Sequence, residues 1–232
     1  MTIGVRRQAF VDLSALVENF ARSAASPDEV LIDVRADAYG HGLVAVALAL
    51  AEAGGSRFLV SRPADAAVLA DVGITTAAVY PAGPLASQVV GRALYGFDGA
   101  PDHSIFRLVG EVIAIKNVPA DRGVSYGYTY RTAKPTTLAL VALGFADGIP
   151  RVASNRAPVM VGDFVGRVTG RIAMDQFVID LDGNTAAVGD QAVLFGDPGL
   201  GEPALAQWAE ATGLAADVIV SGLGSRIERI YA

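Results

Sequence analysis

Cysteine is absent from this chain of 232 residues, and it contains only two histidines and two lysines. Without cysteine there are no disulfides, thiolate metal sites or cysteine nucleophiles. The histidines, His41 and His103, are too few for a zinc site built on imidazoles, so we expect no metal. Covalent chemistry that needs a side-chain amine is confined to Lys116 and Lys134.

Long apolar runs and an excess of positive charge are also missing. No run reaches the roughly 20 residues of a membrane-spanning helix, and the opening MTIGVRRQAF lacks the apolar core of a secretory signal. Lysine and arginine number 18 against 24 aspartates and glutamates, and no basic stripe is visible. We therefore expect a cytoplasmic protein with neither membrane nor nucleic acid as a partner.

The first part of the chain has the pattern of an α/β protein. Apolar residues make up 52% of the sequence, which is enough for a substantial core. Helices are predicted over residues 10–25, 43–53 and 63–71, and strands over 30–34, 57–61 and 76–80. This alternation predicts parallel strands with right-handed crossovers, in a first domain of residues 1–96.

The rest of the chain has the pattern of a mostly antiparallel β domain, residues 102–232. One helix is predicted over residues 202–212. Strands separated by glycine, aspartate and proline turns are predicted over residues 108–118, 137–144, 158–168, 176–181, 191–195 and 227–231.

Five segments resemble alanine racemases of the pyridoxal phosphate (PLP) barrel type. Residues 35–42, RADAYGHG, are similar to the signature that opens those enzymes. The four others agree with C-terminal landmarks in order and spacing: 123–127 (GVSYG), 144–148 (GFADG), 170–176 (GRIAMDQ) and 225–231 (SRIERIY). The resemblance implies α/β plus all-β architecture: a partial TIM-type β/α barrel followed by an alanine racemase-like C-terminal β domain, in a homodimer.

Several positions depart from the family pattern. The lysine that forms the imine with PLP corresponds to Arg35, whose guanidinium stays protonated and cannot form it. Val89 stands for the arginine that faces the pyridine nitrogen, Arg92 for an isoleucine near the phosphate, and Ser225 for a tyrosine that contacts it. A barrel of this type takes about 250 residues, so about half of it is missing. We therefore expect no cofactor.

The same alignment implies where a site lies. Tyr126 matches the acid/base that the family supplies across its dimer, or it is a structural tyrosine in a glycine turn. Arg35, at the carboxyl end of a strand, binds an anionic group or forms an internal ion pair, for example with Asp37 or Asp175. Met174 and Asp175 match the loop that binds the substrate carboxylate.

Three further residues complete the expected site. Tyr39 and His41 share the turn after Arg35, where His41 either transfers protons or binds a backbone carbonyl. Arg92 is expected to bind the substrate. Tyr126, Arg35, Tyr39 and His41 would be catalytic, in a pocket shared by the two chains of the dimer.

These features lead to one main hypothesis and two alternatives. The main one is an enzyme independent of PLP that isomerises, cyclises or eliminates on a small anionic molecule. The first alternative is a non-catalytic binding or regulatory protein on the racemase scaffold. The second is a residual alanine racemase.

Overall fold

A computed structural model describes residues 4–23, 30–80, 88–97 and 105–232. The helices are α1 (Leu13–Ser23), α2 (Arg35–Tyr39), α3 (Leu43–Glu52), α4 (Pro63–Asp71), α5 (Leu205–Thr212) and α6 (Ala216–Ser221). The strands are β1 (Arg7–Val11), β2 (Leu31–Asp33), β3 (Phe58–Val60), β4 (Ala77–Val79), β5 (Val89–Val90), β6 (Phe106–Val118), β7 (Gly123–Val124), β8 (Tyr130–Arg131), β9 (Thr136–Val141), β10 (Pro158–Val161), β11 (Phe164–Thr169), β12 (Phe177–Asp180), β13 (Gln191–Phe195) and β14 (Glu228–Tyr231).

The α/β unit comprises Val11–Ile105 and Tyr231–Ala232. Its sheet has the order β4-β3-β2-β5, and all neighbouring strands are parallel. The strands are short, and β2 and β3 are fully buried. Helices α1, α3 and α4 turn leucines and a phenylalanine inward. The predicted β-α-β order is confirmed, and this sheet is the partial barrel of the expected fold class.

The β unit comprises Met1–Phe10 and Phe106–Ile230. An eight-stranded sheet of order β13-β10-β11-β12-β9-β6-β1-β14 forms most of it, and β6, β9, β10, β11, β12 and β13 pair antiparallel. Its core is mostly aliphatic but includes Trp208, which is fully buried and donates its Nε1–H to the Pro158 carbonyl at 2.9 Å. The expected all-β part is therefore present.

Local structure departs from the predictions in several places, and three of them have a clear cause. The helix predicted over residues 10–25 begins only at Leu13, because alternating burial places Arg7–Val11 in a strand. The strand predicted over 158–168 is a hairpin, β10 and β11, that turns at Gly162, whose φ is +56°. Helix α6 was not predicted, because only six residues form it.

The compact units also differ from the predicted domains, 1–96 and 102–232, at both chain ends. Met1–Phe10 belongs to the β unit, and Tyr231–Ala232 belongs to the α/β unit. Over the described ranges, every helix is too short or too polar to cross a bilayer.

Candidate functional site

A left-handed turn follows the central strand β2 of the α/β unit. Residues Ala36, Asp37, Ala38 and Tyr39 have φ values of 53°, 57°, 53° and 53°. This conformation costs about 1–2 kcal/mol for each L-residue and is normally adopted by single residues. Backbone strain of this kind persists only where the surroundings hold it, and it clusters at functional sites.

Hydrogen bonds within and beside the turn hold this conformation. The Gly40 N–H donates to the Ala36 carbonyl at 2.9 Å, and the Ala36 N–H donates to Ser61 Oγ at 3.1 Å. The Leu43 N–H donates to Asp37 Oδ1 at 2.7 Å and thereby joins the turn to α3. These contacts fix the direction of the side chains that leave the turn.

Arg35 is engaged in an ion pair with Asp33, whose side chain is nearly buried. The Arg35 Nε–H donates to Asp33 Oδ1 at 2.9 Å and the Nη2–H to Oδ2 at 2.7 Å, a bidentate contact. The Tyr39 hydroxyl donates to the same Oδ2 at 2.9 Å, and the guanidinium lies 4.8 Å from the centre of the Tyr80 ring. The sequence left an internal ion pair open as one of two alternatives, with Asp37 and Asp175 as examples of a partner, and the partner in the structure is Asp33.

The protonation states of this cluster follow from the same contacts. Burial raises the pKa of Asp33, but the hydrogen bonds from Arg35 and Tyr39 outweigh it and leave the pKa below 3.8, the ordinary value. Burial and donation to Asp33 raise the pKa of Tyr39 to about 12. At neutral pH the cluster is therefore a carboxylate, a guanidinium and a neutral phenol.

His41 is fully buried next to the turn. Its Nδ1 lies 3.0 Å from the Ala38 carbonyl oxygen and 3.1 Å from that of Tyr39. Because both groups are acceptors, Nδ1 carries the proton. The ring packs 4.8 Å from that of Tyr95, centre to centre. This placement supports the alternative in which His41 binds backbone carbonyls.

A cleft of about 390 Å³ opens beside the cluster. Asp33, Tyr39 and Arg92 all line it, and the Arg92 guanidinium lies 5.9 Å from the centre of the Phe97 ring. The remaining lining residues are Ser23, Gln88, Val89, Val90, Gly91 and Ala93. Two of the predicted site residues, Tyr39 and Arg92, therefore share one cleft, and sequence reasoning missed Asp33.

The other predicted residues lie in the β unit, on exposed loops. The side chain of Tyr126 is 70% exposed and that of Met174 is 57% exposed. Asp175 Oδ1 accepts a hydrogen bond from Arg226 Nη2 at 2.7 Å. The Nε of Arg226 lies 3.1 Å from Oδ1 of the buried Asp147. Asp175 is thus part of a surface ion-pair network.

The residues present do not fit a PLP held as an imine. At the position that matches the family lysine, the Arg35 guanidinium forms an ion pair with Asp33. The two lysines belong to the β unit, where Lys134 Nζ pairs with Asp182 Oδ1 at 2.8 Å. The α/β unit has no amine side chain that could condense with an aldehyde. Among the described residues, no group of three or more acidic or histidine side chains is placed to hold a metal ion.

Two family models match this chain over nearly its whole length. They are "Alanine racemase, N-terminal domain", over residues 11–95, and "Alanine racemase, C-terminal domain", over residues 105–231. The chain belongs to the alanine racemase family, as the five sequence segments indicated.

Curated relatives share high identity over part of their length. An alanine racemase of Streptomyces coelicolor is 45% identical over 150 residues, which are 61% of this chain and 38% of the relative. One of Beutenbergia cavernae is 46% identical over 147 residues, which are 62% of this chain and 39% of the relative. The matched part thus spans about two fifths of these relatives.

Solved structures agree with the fold. Alanine racemase from the D-cycloserine producer Streptomyces lavendulae has a TM-score of 0.86 and 26% identity, covering 99% of this chain and 97% of that one. The Bacillus anthracis enzyme with bound L-Ala-P has a TM-score of 0.87 at 20% identity, covering 100% and 96%. The second likeness shows the fold alone.

Proposed function

We propose that this chain is a binding protein on the alanine racemase scaffold. It holds a small anionic molecule, without a covalent bond, in the cleft lined by Tyr39 and Arg92. The observation that carries the proposal is the closed pair of Arg35 and Asp33, in which both carboxylate oxygens accept hydrogen bonds from one guanidinium. This is the first of the two alternatives that the sequence left open.

The charges around the cleft favour an anion. Asp33 and Arg35 neutralise each other, so the carboxylate in the cleft wall does not repel a second negative group. Arg92 lines the cleft and carries a planar fork of N–H donors that suits carboxylate or phosphate oxygens. Gln88 and Ser23 line the same cleft with further polar groups. A small carboxylate or phosphate ester matches this lining.

The titrating groups in the α/β unit are poorly suited to acid/base catalysis. A catalytic acid or base works best when its pKa lies near the working pH. Tyr39 has a pKa of about 12 and the pKa of Asp33 is lowered, so neither exchanges protons readily at neutral pH. His41 is buried with its Nδ1 on backbone carbonyls. The main hypothesis, an enzyme that isomerises, cyclises or eliminates, stays a prediction. The protonation states of Tyr39 and Asp33 do not support it.

Residue-resolved NMR titration tests the proposal. L-alanine and inorganic phosphate serve as probes, with the amide of Gly91 in the cleft as the reporter. We expect saturable shifts at Gly91, and about tenfold or greater weakening in Arg92→Gln, as for loss of a charged hydrogen bond. Arg57→Gln removes an exposed arginine of the same unit outside the cleft and is the control. Absent shifts, or equal affinity in Arg92→Gln, would contradict the proposal.

A residual alanine racemase is the second candidate, favoured by the 45% identity to a relative with that name. Its test is D-alanine formation from L-alanine with added PLP. Product that disappears in Arg35→Ala would establish this candidate and overturn the binding protein. Product at the level of the protein-free blank would eliminate it.

We also propose the homodimer that the resemblance implies. Among the described strands, β4 and β5 are the edges of the parallel sheet, and Val89 on β5 is 43% exposed. Exposed edges of parallel sheets favour association unless another element covers them. Sedimentation equilibrium is expected to give twice the chain mass of 23.9 kDa. A single-chain mass across the concentration range would reject the dimer.

A further inference from the structure

The proton of the Tyr39 hydroxyl is committed to a neighbour inside the protein. The hydroxyl donates to Asp33 Oδ2 at 2.9 Å. Burial raises the pKa of Tyr39 to about 12, so the proton stays on the phenol oxygen at neutral pH. A phenol has one O–H donor. Towards the cleft, the Tyr39 oxygen therefore acts as an acceptor of hydrogen bonds.

The Asp33 carboxylate in the cleft wall already accepts four hydrogen bonds from described residues. Oδ1 accepts them from the Arg35 backbone N–H at 3.1 Å and from the Arg35 Nε–H at 2.9 Å. Oδ2 accepts them from the Arg35 Nη2–H at 2.7 Å and from the Tyr39 hydroxyl at 2.9 Å. A carboxylate offers about four lone-pair sites, and these donors fill them. A donor on a ligand therefore finds the Tyr39 oxygen more available than the carboxylate.

Aromatic packing fixes the Tyr39 ring close to Arg92. The centre of the Phe97 ring lies 5.9 Å from the centre of the Tyr39 ring and 5.9 Å from the Arg92 guanidinium. The Tyr39 ring also lies 4.8 Å from the ring of the buried Tyr95, centre to centre. The phenol and the guanidinium thus share one aromatic neighbour, and both line the cleft. One short ligand can reach both.

Gly91 leaves the space beside the Tyr39 hydroxyl open. A Cβ added to this glycine would lie 3.5 Å from the Tyr39 oxygen and 3.4 Å from Asp33 Oδ2. These are van der Waals distances, so a side chain there would fill the position from which a ligand atom reaches the phenol oxygen. Because Gly91 directly precedes Arg92, the open space adjoins the residue that binds the oxyanion in the proposed function.

The charges around this space favour a neutral donor over an ammonium group. Asp33 and Arg35 form an ion pair, so the wall presents a neutral pair to the ligand. The Arg35 guanidinium also acts on the Tyr39 hydroxyl, and it would repel a second cation there. Removing an ammonium group from water without a charged partner costs far more than removing a hydroxyl that gains a hydrogen bond. A hydroxyl therefore suits the Tyr39 oxygen best.

We infer that the ligand of this cleft is a short hydroxy acid, whose hydroxyl donates to the Tyr39 oxygen while its carboxylate binds Arg92. Tyr39 is thereby the residue that determines specificity, because its committed proton requires a donor on the ligand. The inference rests on the proposed function, since it names the class of ligand for the same cleft. It adds that the cleft distinguishes a hydroxyl from a hydrogen atom or an ammonium group at the carbon next to the carboxylate.

Acetate, glycine and glycolate test this inference, because they carry a hydrogen atom, an ammonium group or a hydroxyl on that carbon. Each is titrated into the chain at constant ionic strength, with the amide of Gly91 as the NMR reporter. We expect glycolate to bind about fivefold more tightly than acetate, as for the gain of one hydrogen bond, and glycine to bind no more tightly than acetate. Tyr39→Phe keeps the ring but removes the acceptor, so it is expected to bind glycolate and acetate equally.

The control is Tyr80→Phe, which removes an exposed phenol of the same unit outside the cleft and is expected to keep the preference for glycolate. The preference is a ratio of two affinities within one variant, so a partial loss of folded protein does not alter it. Equal affinities of the unmodified chain for glycolate and acetate would overturn the inference and leave the anion site in place. So would a preference that survives in Tyr39→Phe, or glycine that binds more tightly than glycolate.

Failure of the proposed function gives a different result. In that case acetate and glycolate both leave the Gly91 amide unshifted, or Arg92→Gln binds acetate as the unmodified chain does. Either result would overturn the anion site and this inference together. Acetate binding that depends on Arg92 but has no counterpart in a glycolate preference would overturn the inference alone.

Discussion

The two compact units hold arginine in opposite ways. In the α/β unit, Arg35 is closed on the buried Asp33, and the Tyr39 hydroxyl occupies the same carboxylate. In the β unit, Arg151 and Arg171 line a cleft without an ion pair among the described residues. An arginine at the carboxyl end of a strand, such as Arg35 after β2, is therefore not necessarily available to bind a substrate. What decides is whether a buried carboxylate lies within reach.

The largest expected effect concerns the closed pair. Asp33→Asn removes the buried charge that Arg35 faces, and we expect the free energy of unfolding in urea to fall by about 3 kcal/mol. The matched control is Asp65→Asn: Arg62 contacts Asp65 through the same three nitrogens, N, Nε and Nη2, but its side chain is 73% exposed. That variant is expected to lose less than about 1 kcal/mol. Equal losses of unfolding free energy in Asp33→Asn and Asp65→Asn would show that the burial of Asp33 does not strengthen its ion pair.

The same pair predicts a dependence of stability on pH. The pKa of Asp33 is lowered in the folded chain, so the unfolded chain binds this proton first as the pH falls. The stabilisation is therefore complete above the ordinary pKa of 3.8 and is lost as the pH falls through the lower, folded value. Urea titrations from neutral to acidic pH measure it, with Asp33→Asn as the control. A profile that is identical in the variant would contradict the assignment.

A smaller effect of opposite sign is expected in the left-handed turn. Ala36 is exposed with a φ of 53°, so Ala36→Gly removes a backbone strain of about 1–2 kcal/mol. Glycine also raises the conformational entropy of the unfolded chain, which offsets part of that gain in stability. We expect a net gain of up to about 1 kcal/mol in the free energy of unfolding. Ala67→Gly, at an exposed position of the right-handed helix α4, is expected to lose about 1 kcal/mol. If Ala36→Gly and Ala67→Gly both lowered the free energy of unfolding, the turn would not be strained.

The smallest effect is expected in the cleft of the β unit. Arg171 is exposed and forms no ion pair with described residues, so Arg171→Gln should change the free energy of unfolding by less than about 0.5 kcal/mol. Urea unfolding of this variant beside Arg226→Gln checks it. Arg226 contacts the buried Asp147, and its loss is expected to destabilise the fold more. A large loss of unfolding free energy in Arg171→Gln would show that Arg171 stabilises the fold.

Much of the fold follows from local patterns. The proline start and glycine end of α4 gave its limits, Pro63–Asp71, and β13 has the predicted limits, Gln191–Phe195. The hairpin of β10 and β11 was read as one strand, because the apolar pattern continues through its short turn. The placement of β1 depends on pairing with residues far along the chain, which local patterns do not encode.

The site was less predictable than the fold. Sequence placed Tyr39 and Arg92 where a cleft joins them. The left-handed turn was not foreseeable, because alanine does not favour a positive φ and only the surrounding hydrogen bonds hold it. Asp33 ends an apolar strand, and a charged residue there was the one available signal that a buried partner was needed.

The closed state of Arg35 can be observed directly through the NMR signals of the arginine Nε–H groups. During titration with L-alanine and inorganic phosphate, we expect the Arg35 signal to stay unshifted and slow to exchange with solvent, because Asp33 Oδ1 accepts a hydrogen bond from that N–H. The Arg92 signal is expected to shift with saturation. An Arg35 signal that moves together with that of Arg92 would mean that the guanidinium leaves Asp33 to bind the ligand, which contradicts the account.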